Sequence, residues 1–268
     1  MGVELSLFLK SEKRFRKRGI HVKRCAVFCA FVLWGVSAFA QTPQVVSEVS
    51  IATPKPGMTA QWEEGRVRHS KFHATQKDTW SIYVWEITTG ERSGSYIMAS
   101  PGHNWKDFDA REAFTKLDVP DIAKNMGPST AGTSTAYYVF RDDLSLTKPP
   151  ASPAKMRTST YYWVIPSELN NFTDAIKKIN DAIRKTNFPA KPSRWYALAN
   201  GGEAPNFVLI GDRASWGDME PPEKKLEDAL KEAYGDSGPQ VLDQLRKSTR
   251  KIISEMSVFR SDLSYMPK

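Results

Sequence analysis

Apolar side chains occupy both alternating sets of positions in several short segments of the chain. The segment 79–87 (TWSIYVWEI) places tryptophan, isoleucine and valine on one face of a strand, and tyrosine, tryptophan and isoleucine on the other. The segments 136–140 (AYYVF) and 160–165 (TYYWVI) follow the same pattern. A sheet with one face in water would alternate apolar and polar residues. We therefore predict a sheet covered on both faces, by helices on one and by a second sheet on the other.

The same order of predicted elements occurs twice along the chain. The first half contains a strand at 45–52, a helix at 58–76 and a hairpin of 80–88 with 93–100. The second half contains a strand at 160–166, a helix at 168–187 and a hairpin of 194–200 with 205–211. Gly90 and the Gly201-Gly202 pair provide the hairpin turns. A further helical region and a last strand complete each half, which gives the order βαββαβ of the ferredoxin-like motif.

The two halves also share sequence. Val-Phe-Arg-x-Asp-Leu-Ser occurs at 139–145 and again at 258–264, and 95–109 aligns without gaps to 206–220. This alignment pairs Trp105 with Trp216 and Asp107 with Asp218. We predict an α+β fold in which two tandem ferredoxin-like βαββαβ repeats pack sheet to sheet as an α+β barrel within one chain. The predicted repeats are 41–145 and 160–268, joined by a proline-rich linker at 146–159.

The first repeat resembles a known group of proteins. Its segment 53–69 (TPKPGMTAQWEEGRVRH), which leads from strand to helix through a Pro-Gly turn, is similar to NIPSNAP-type proteins and antibiotic-biosynthesis monooxygenases of the dimeric α+β barrel superfamily. The resemblance covers nearly all of 45–265. It implies the fold, here fused in tandem, but that superfamily includes cofactor-free oxygenases, haem enzymes and proteins without a known reaction. Its fused haem enzymes, which are chlorite-dismutase-like, take their axial histidine from the second unit, where this chain has none.

The first 40 residues have the three parts of a secretory signal peptide. A basic region ends at Arg24, an apolar run spans 25–36, and Ala38-Phe39-Ala40 fits the rule of small residues before a cleavage site. The apolar run is too short to cross a bilayer as a helix. We therefore predict that the protein is exported, with 1–40 removed by cleavage after Ala40 and no membrane attachment afterwards.

Removal of this segment changes the charge of the chain. The full sequence has 38 Lys+Arg and 30 Asp+Glu, of which eight basic and two acidic residues lie in 1–40. The remaining near-balance gives no basis for nucleic-acid binding. Both cysteines, Cys25 and Cys29, also lie in this segment, so the mature protein has no disulfide or thiol nucleophile. A cysteine-free exported chain fits a bacterial periplasm, and a barrel completed by fused repeats requires no oligomer.

A candidate site follows from a difference between the first helices of the two halves. The second helix carries an apolar stripe of Leu169, Phe172, Ile176, Ile179 and Ile183. The first carries Met58, Trp62, Gly65, His69 and Phe72, and a one-residue shift adds His73. At the positions where the second helix has Ile176 and Ile179, the first helix therefore has Gly65 and His69. The lost volume can leave a cleft between helix and sheet, where a histidine can accept or donate a proton.

We therefore predict that a small, largely apolar or aromatic molecule binds in this cleft of the first repeat. The predicted binding residues are Trp62, Gly65, His69, Phe72, His73, Tyr83, Trp85 and Tyr96. His69 is the candidate general base or orienting group. His103, whose aligned residue is Ala214, is a second catalytic candidate at the mouth. If the chain is an enzyme, the resemblance implies a cofactor-free, monooxygenase-like reaction, but no sequence motif establishes catalysis.

Other interpretations remain open. His69 can be a buried histidine bonded to a backbone carbonyl, with Gly65 allowing close contact between helix and sheet. The chain can equally be a non-catalytic interaction module. His69 and His73 share a helix face at a spacing that can bind metal or haem iron, together with His103. The sequence locates no further ligand and contains no His-Glu-x-x-His, Walker or Rossmann motif. We therefore predict no metal site and no cofactor.

Overall fold

The computed structural model describes residues 44–267. The predicted signal peptide at 1–40 and its cleavage site after Ala40 lie outside the described residues. Among the helices of the described range, none is long and apolar enough to cross a bilayer.

Strands and helices follow one another in an α+β order. The strands are β1 (Val46–Pro54), β2 (Tyr83–Ile87), β3 (Tyr96–His103), β4 (Thr130–Arg141), β5 (Met156–Val164), β6 (Ser193–Asn200), β7 (Asn206–Arg213) and β8 (Thr249–Phe259). The α-helices are α1 (Thr59–Thr75), α2 (Trp105–Ala110), α3 (Glu112–Asn125), α4 (Leu169–Lys185), α5 (Leu226–Tyr234) and α6 (Gly238–Lys247). The predicted α+β class is confirmed.

The strands form one closed antiparallel barrel in the order β1-β3-β2-β8-β5-β7-β6-β4. Strands of the two halves are hydrogen-bonded at two seams. At the first seam β2 pairs with β8, so that Trp85 lies opposite Phe259. At the second β4 pairs with β6, so that Arg141 lies opposite Trp195. Two facing sheets therefore join at their edges as well, which satisfies the backbone groups that an open sheet would leave unpaired.

Most predicted elements agree with the structure to within a few residues, but the linker is shorter than predicted. Strand β5 begins at Met156, inside the predicted linker 146–159. Met156 pairs with Arg213 of β7 and with Val258 of β8. The three prolines of the linker precede this point in the sequence. Pairing with two neighbouring strands therefore fixes residues 156–159, which composition alone places in a linker.

The recurrence of Asp107 and Asp218 has a structural explanation. The Asp107 carboxylate accepts a hydrogen bond of 2.7 Å from the backbone N–H of Asn104, directly before α2. The Asp218 carboxylate accepts one of 3.2 Å from the backbone N–H of Ser215 at the aligned position. A carboxylate that binds a free N–H at the start of a helical turn stabilises that turn. Both halves therefore keep this aspartate for the same local reason.

Helices cover the outer face of the barrel wall. Between α1 and the sheet lies a hydrophobic core that contains Trp62 of α1. Trp62 of α1 is fully buried and stacks on Tyr96 of β3, with ring centroids 4.3 Å apart. The other members of this cluster are Ala52, Val84, Met126 and Leu263. In the second half Phe172 and Ile176 of α4 occupy the corresponding core. Alternate strand residues, among them Tyr83 and Trp85, lie on the inner face of the barrel.

Candidate functional site

The space predicted as a cleft beneath the first helix is filled. Trp62 and Tyr96 are 0% and 1% exposed, and their stacked rings occupy the region between α1 and the sheet. Their burial leaves no room there for a ligand. The predicted binding residues instead separate into three places, which are this core, a polar cluster between α1 and α3, and the interior of the barrel.

Gly65 serves a contact between two helices. A Cβ atom on Gly65 would lie 2.1 Å from the backbone oxygen of Asn125, at the end of α3. The sequence predicts that this glycine opens a cleft or allows helix–sheet contact, whereas the structure uses it to bring α1 against α3. The close approach places α3 over the histidines of α1.

We expect Gly65→Ala to destabilise the protein by about 2–3 kcal/mol, because the added methyl group collides with backbone that cannot rotate away. Urea unfolding followed by circular dichroism measures the change. Gly132→Ala is the matched control, since a Cβ there meets nothing within 4 Å. Equal stability of the two variants would contradict the proposed reason for Gly65.

His69 and His73 of α1 face Asp118 of α3 in the polar cluster. The two Nε2 atoms lie 3.0 Å apart. Asp118 Oδ1 lies 3.4 Å from His69 Nε2 and 3.3 Å from His73 Nε2. Both imidazoles are buried, and the Asp118 side chain is 19% exposed. Asp118 Oδ1 itself is inaccessible and has no hydrogen-bond partner among the described residues. Three nitrogen and oxygen atoms thus converge on one point between two helices.

Two further carboxylates hold the far sides of the imidazole rings. His69 Nδ1 lies 2.7 Å from Asp121 Oδ1, and His73 Nδ1 lies 2.7 Å from Asp78 Oδ2. The guanidinium of Arg111 donates two hydrogen bonds, of 2.6 and 2.7 Å, to the Asp78 carboxylate. Because an ionised carboxylate only accepts hydrogen bonds, each Nδ1 carries the hydrogen. Each ring is therefore fixed in orientation by a partner on its outer side.

Burial, together with the positive charge of nearby Arg66, lowers the pKa of His69 to about 4. The His69 imidazole is therefore neutral at neutral pH, with the lone pair of Nε2 free. The ring of His73 lies between two aromatic rings, Phe114 at 5.4 Å and Tyr265 at 5.3 Å between centroids. Burial also raises the pKa of Asp118 above its usual range. Aromatic rings thus pack against both imidazoles, while carboxylates and guanidinium groups surround the rest of the cluster.

His103 lies outside this cluster but is linked to it through one indole ring. Its imidazole stacks on Trp80 at 3.5 Å between centroids, and its Nε2 lies 2.8 Å from the hydroxyl oxygen of Ser100. The guanidinium of Arg111 lies 4.2 Å from the centroid of the same indole. The structure does not bring His103 into contact with His69, the other predicted catalytic residue. Phe72 packs beside His69, with centroids 5.8 Å apart.

The interior of the barrel contains a cavity of about 130 Å³. Tyr83 and Trp85 are the two predicted binding residues that line it. The aromatic lining also includes Tyr138, Tyr161 and Tyr196. Five residues of the segment between the halves contribute to the wall: Pro149, Pro150, Ser152, Pro153 and Ala154. Both halves of the chain and the segment that joins them therefore build this one cavity.

One cation, Arg157, faces the cavity without a salt-bridge partner among residues 44–267. Arg194 and Asp212 line the wall and bind each other through two hydrogen bonds of 2.7 Å. The Arg157 guanidinium lies 3.6 Å from the centroid of Trp85, and its Nε atom is buried without a hydrogen-bond partner in the described chain. Burial lowers the pKa of Arg157 to about 10, so the group stays charged at neutral pH.

A second cavity of about 290 Å³ adjoins the first, since both are lined by Val49, Tyr138 and Tyr161. Its wall includes Arg92, whose guanidinium binds the Glu255 carboxylate at 2.6 and 2.7 Å. This cation is therefore neutralised, unlike Arg157. The barrel interior is thus a pair of adjoining spaces, with the uncompensated charge of Arg157 in the first and the exposed Lys251 on the wall of the second.

The sequence analysis does not identify two residues of these sites, Asp118 in the polar cluster and Arg157 on the cavity wall. Asp118 lies on a different helix from His69 and His73, and only the packing of α3 on α1 brings it there. Arg157 lies in the segment predicted as linker, where a basic residue is expected to face solvent. The pattern that could have drawn attention to the cluster is the i, i+4 histidine pair, followed by a helix with several aspartates.

Comparison with known proteins gives a likeness of fold. No protein-family model matches the sequence, and no curated protein matches it. A crystal structure of an anthrone oxidase-like protein superposes with a TM-score of 0.53 at 12% identity, over 82% of this chain and 92% of that chain. A protein described as a candidate monooxygenase, from Fusobacterium nucleatum subsp. nucleatum ATCC 25586, gives a TM-score of 0.51 at 9% identity, over 81% and 93%.

At such identities the likeness establishes the fold and nothing further. A protein described as a candidate chlorite dismutase is also similar, but its TM-score of 0.47 at 12% identity, over 82% of this chain and 96% of that chain, is too low to carry an argument. The structural neighbours have the dimeric α+β barrel fold. The chain therefore has the fold of a dimeric α+β barrel protein.

Proposed function

We propose that this chain is an exported binding protein for a small aromatic molecule with an anionic group, and that the ligand occupies the interior of the barrel. The observation that carries the proposal is the guanidinium of Arg157 in an aromatic cavity, where its buried Nε has no hydrogen-bond partner among the described residues. The location differs from the cleft that the sequence predicts, but Tyr83 and Trp85 remain part of the proposed site.

The charge of the cavity favours an anion. Arg194 and Asp212 cancel each other, so Arg157 leaves the lining with one net positive charge. A buried cation without a partner costs free energy, and that cost is offset when an anion binds to it. Guanidinium groups bind carboxylates and phosphates through two parallel hydrogen bonds. The ligand class is therefore a carboxylate or a similar planar or tetrahedral anion.

The aromatic wall favours a flat apolar body on the ligand. Tyrosine and tryptophan rings provide a large apolar surface, with hydroxyl groups that can select a ligand by hydrogen bonding. Burial raises the pKa of Tyr196 and Tyr138, so these phenols are protonated and can donate. A ring carrying one acidic substituent would meet both features of the wall, the aromatic surface and the cation.

The cofactor-free, monooxygenase-like alternative draws its support from the fold neighbours alone. A general base would have to reach the ligand, and neither His69 nor His103 is among the residues that line the cavity. Catalysis is therefore not part of the proposal. We also propose that the two halves are copies of one ferredoxin-like unit of the NIPSNAP and monooxygenase type, on the basis of the shared Val-Phe-Arg-x-Asp-Leu-Ser segment.

The proposal is tested with 1-naphthoate and its neutral counterpart 1-naphthamide, by calorimetry and by quenching of tryptophan fluorescence. We expect saturable binding of the carboxylate and binding of the amide weaker by at least about tenfold, because only the carboxylate pairs with Arg157. Arg157→Met keeps an unbranched apolar side chain and removes the charged guanidinium that lies over Trp85. This variant should lose the preference for the carboxylate and should fold at least as stably as the unchanged protein.

Arg184→Met is the matched control, because Arg184 is exposed on α4 and is not among the residues that line the cavity. It should bind both compounds as the unchanged protein does. Binding of neither compound, or equal binding of both by the unchanged protein, would contradict the proposal. The first result would leave the non-catalytic interaction module as the better interpretation.

A further inference from the structure

We infer that His69, His73 and Asp118 form a binding site for one divalent transition-metal ion, of the class of Zn²⁺ or Fe²⁺, and that the ion fastens α3 to α1. This site lies between helices on the outside of the barrel, so it is separate from the cavity proposed for the small molecule. The inference does not depend on that proposal. It also changes the sequence-based prediction of no metal site, which rested on the lack of a further ligand beyond the histidines.

Three possible ligand atoms face one another between α1 and α3. His69 Nδ1 and His73 Nδ1 each donate to a carboxylate, so in neutral rings both Nε2 atoms carry lone pairs. These lone pairs meet at 3.0 Å, and Asp118 Oδ1 adds a third acceptor at 3.3 and 3.4 Å. Three acceptors in a buried space repel one another unless a cation lies between them.

The spacing fits a first-row metal ion. Ligand atoms about 2.0–2.1 Å from a zinc ion lie about 3.3–3.4 Å apart in a tetrahedron, and neighbours in an octahedron lie about 3.0 Å apart. The three observed separations of 3.0, 3.3 and 3.4 Å span these values. Two imidazoles and one carboxylate on one side of the ion form the ligand set of many zinc and non-haem iron centres. The Asp118 side chain is 19% exposed, although its Oδ1 atom is buried.

The surroundings support the ligands as metal sites generally require. Metal-bound histidines almost always donate their other ring N–H to a carboxylate or carbonyl, which fixes the ring and raises its basicity. Asp121 and Asp78 accept these hydrogen bonds at 2.7 Å. With neutral imidazoles, the three carboxylates and the two guanidinium groups, Arg111 and Arg66, sum to a formal charge of −1, so the cluster has the sign of charge that attracts a cation.

A shared proton is the competing occupant of the same space. If His73 were an imidazolium, its Nε2–H could donate to His69 Nε2 across the 3.0 Å separation. This arrangement would leave Asp118 Oδ1 without a partner, as it is among the described residues. A metal ion instead engages all three atoms. A metal ion and a shared proton can be distinguished by experiment, because only a metal site binds and releases an added metal ion stoichiometrically.

The structural role of the ion would be to hold α3 against α1. Helix α3 contains no buried residue, and its apolar side chains Leu117, Val119 and Ile122 are exposed. Its contacts with α1 are the half-buried ring of Phe114, which packs on His73 and near Phe72, and polar groups, including a 3.1 Å hydrogen bond from Arg68 Nε to Asn125 Oδ1. A helix without a buried apolar face gains little from the hydrophobic effect. A metal bridge from Asp118 to two histidines of α1 would supply the missing attachment.

The test uses the full chain without a histidine tag, stripped with a chelator and titrated with Zn²⁺ and with Co²⁺. We expect one equivalent to bind, visible d–d absorption of the Co²⁺ form, and slower amide hydrogen exchange in α3 when Zn²⁺ is bound. Asp118→Asn keeps the size of the side chain and weakens a metal ligand, so it should lower affinity by at least about tenfold. Asp109→Asn, an exposed aspartate of α2, is the matched control and should bind as the unchanged protein does.

Asp121→Asn is a second variant that leaves all three ligands in place and removes the carboxylate behind His69. It should lower affinity by about 10–100-fold if the ion is held as inferred. Circular dichroism establishes that each variant is folded. Failure of the chelator-treated protein to bind either ion would overturn the inference in favour of the shared proton. Stoichiometric binding that Asp118→Asn and Asp121→Asn leave unchanged would place the ion elsewhere and overturn it too.

Discussion

Trp62→Ala is expected to destabilise the protein by about 3–5 kcal/mol, measured as the free energy of unfolding in urea. The side chain is fully buried and stacks on Tyr96 at 4.3 Å, so its removal leaves a cavity and ends an aromatic contact. The buried indole N–H of Trp62 has no hydrogen-bond partner among the described residues, which offsets a small part of the loss. A cost of this size is a large fraction of the stability of a typical domain.

The same variant discriminates between a filled core and the cleft predicted from the sequence. If Trp62 lined an open cleft, its removal would enlarge the cleft with little cost to folding. Trp216→Ala serves as the matched control, because that indole is 61% exposed. Its removal should change stability by no more than about 0.5 kcal/mol. Similar free energies for the two variants would mean that the space beneath α1 is not packed.

The barrel follows from local patterns that the sequence repeats. Alternating apolar positions identify the strands, and the recurrence of Val-Phe-Arg-x-Asp-Leu-Ser predicts that two similar halves exist. The pattern does not reveal the length of the linker, because Met156 becomes a strand residue only through its pairing with Arg213 and Val258. It also does not distinguish a dry contact between two sheets from a cavity. Tyr83 and Trp85 are apolar in either case, and the structure places them on a cavity wall.

The candidate sites depend on contacts between residues that lie far apart in the sequence. Gly65 and His69 stand out against the isoleucines of α4, and this difference correctly marks the first helix as special. The physical cause is a neighbouring helix, since Asn125 of α3 approaches Gly65 so closely that a side chain does not fit. The partner of His69 and His73 therefore comes from α3. Composition and periodicity describe one element at a time, so they do not reveal that α3 packs on α1.

The ion pair between Asp78 and Arg111 is expected to be the most costly polar contact to break. The two side chains are 2% and 13% exposed, and two hydrogen bonds of 2.6 and 2.7 Å join them. Burial by itself raises the pKa of Asp78, but hydrogen bonds from Arg111 and His73 outweigh burial and hold that pKa well below its usual range. Removing one partner leaves the other charge buried and uncompensated. We expect Asp78→Ala or Arg111→Met to lower the free energy of unfolding by about 3–5 kcal/mol in metal-free buffer.

The size of this effect depends on burial, and the chain offers a matched pair that tests the point. Arg141 binds Asp143 through two hydrogen bonds of 2.8 Å, with the same geometry, but these side chains are 29% and 46% exposed. Asp143→Ala should therefore cost no more than about 1 kcal/mol, since water solvates whichever charge remains.

Combining Asp78→Ala with Arg111→Met should cost less than the sum of the single variants, because the second change removes the stranded charge that the first creates. Additive effects would show that the pair is not coupled, and equal costs at Asp78 and Asp143 would show that burial does not decide the strength of the contact.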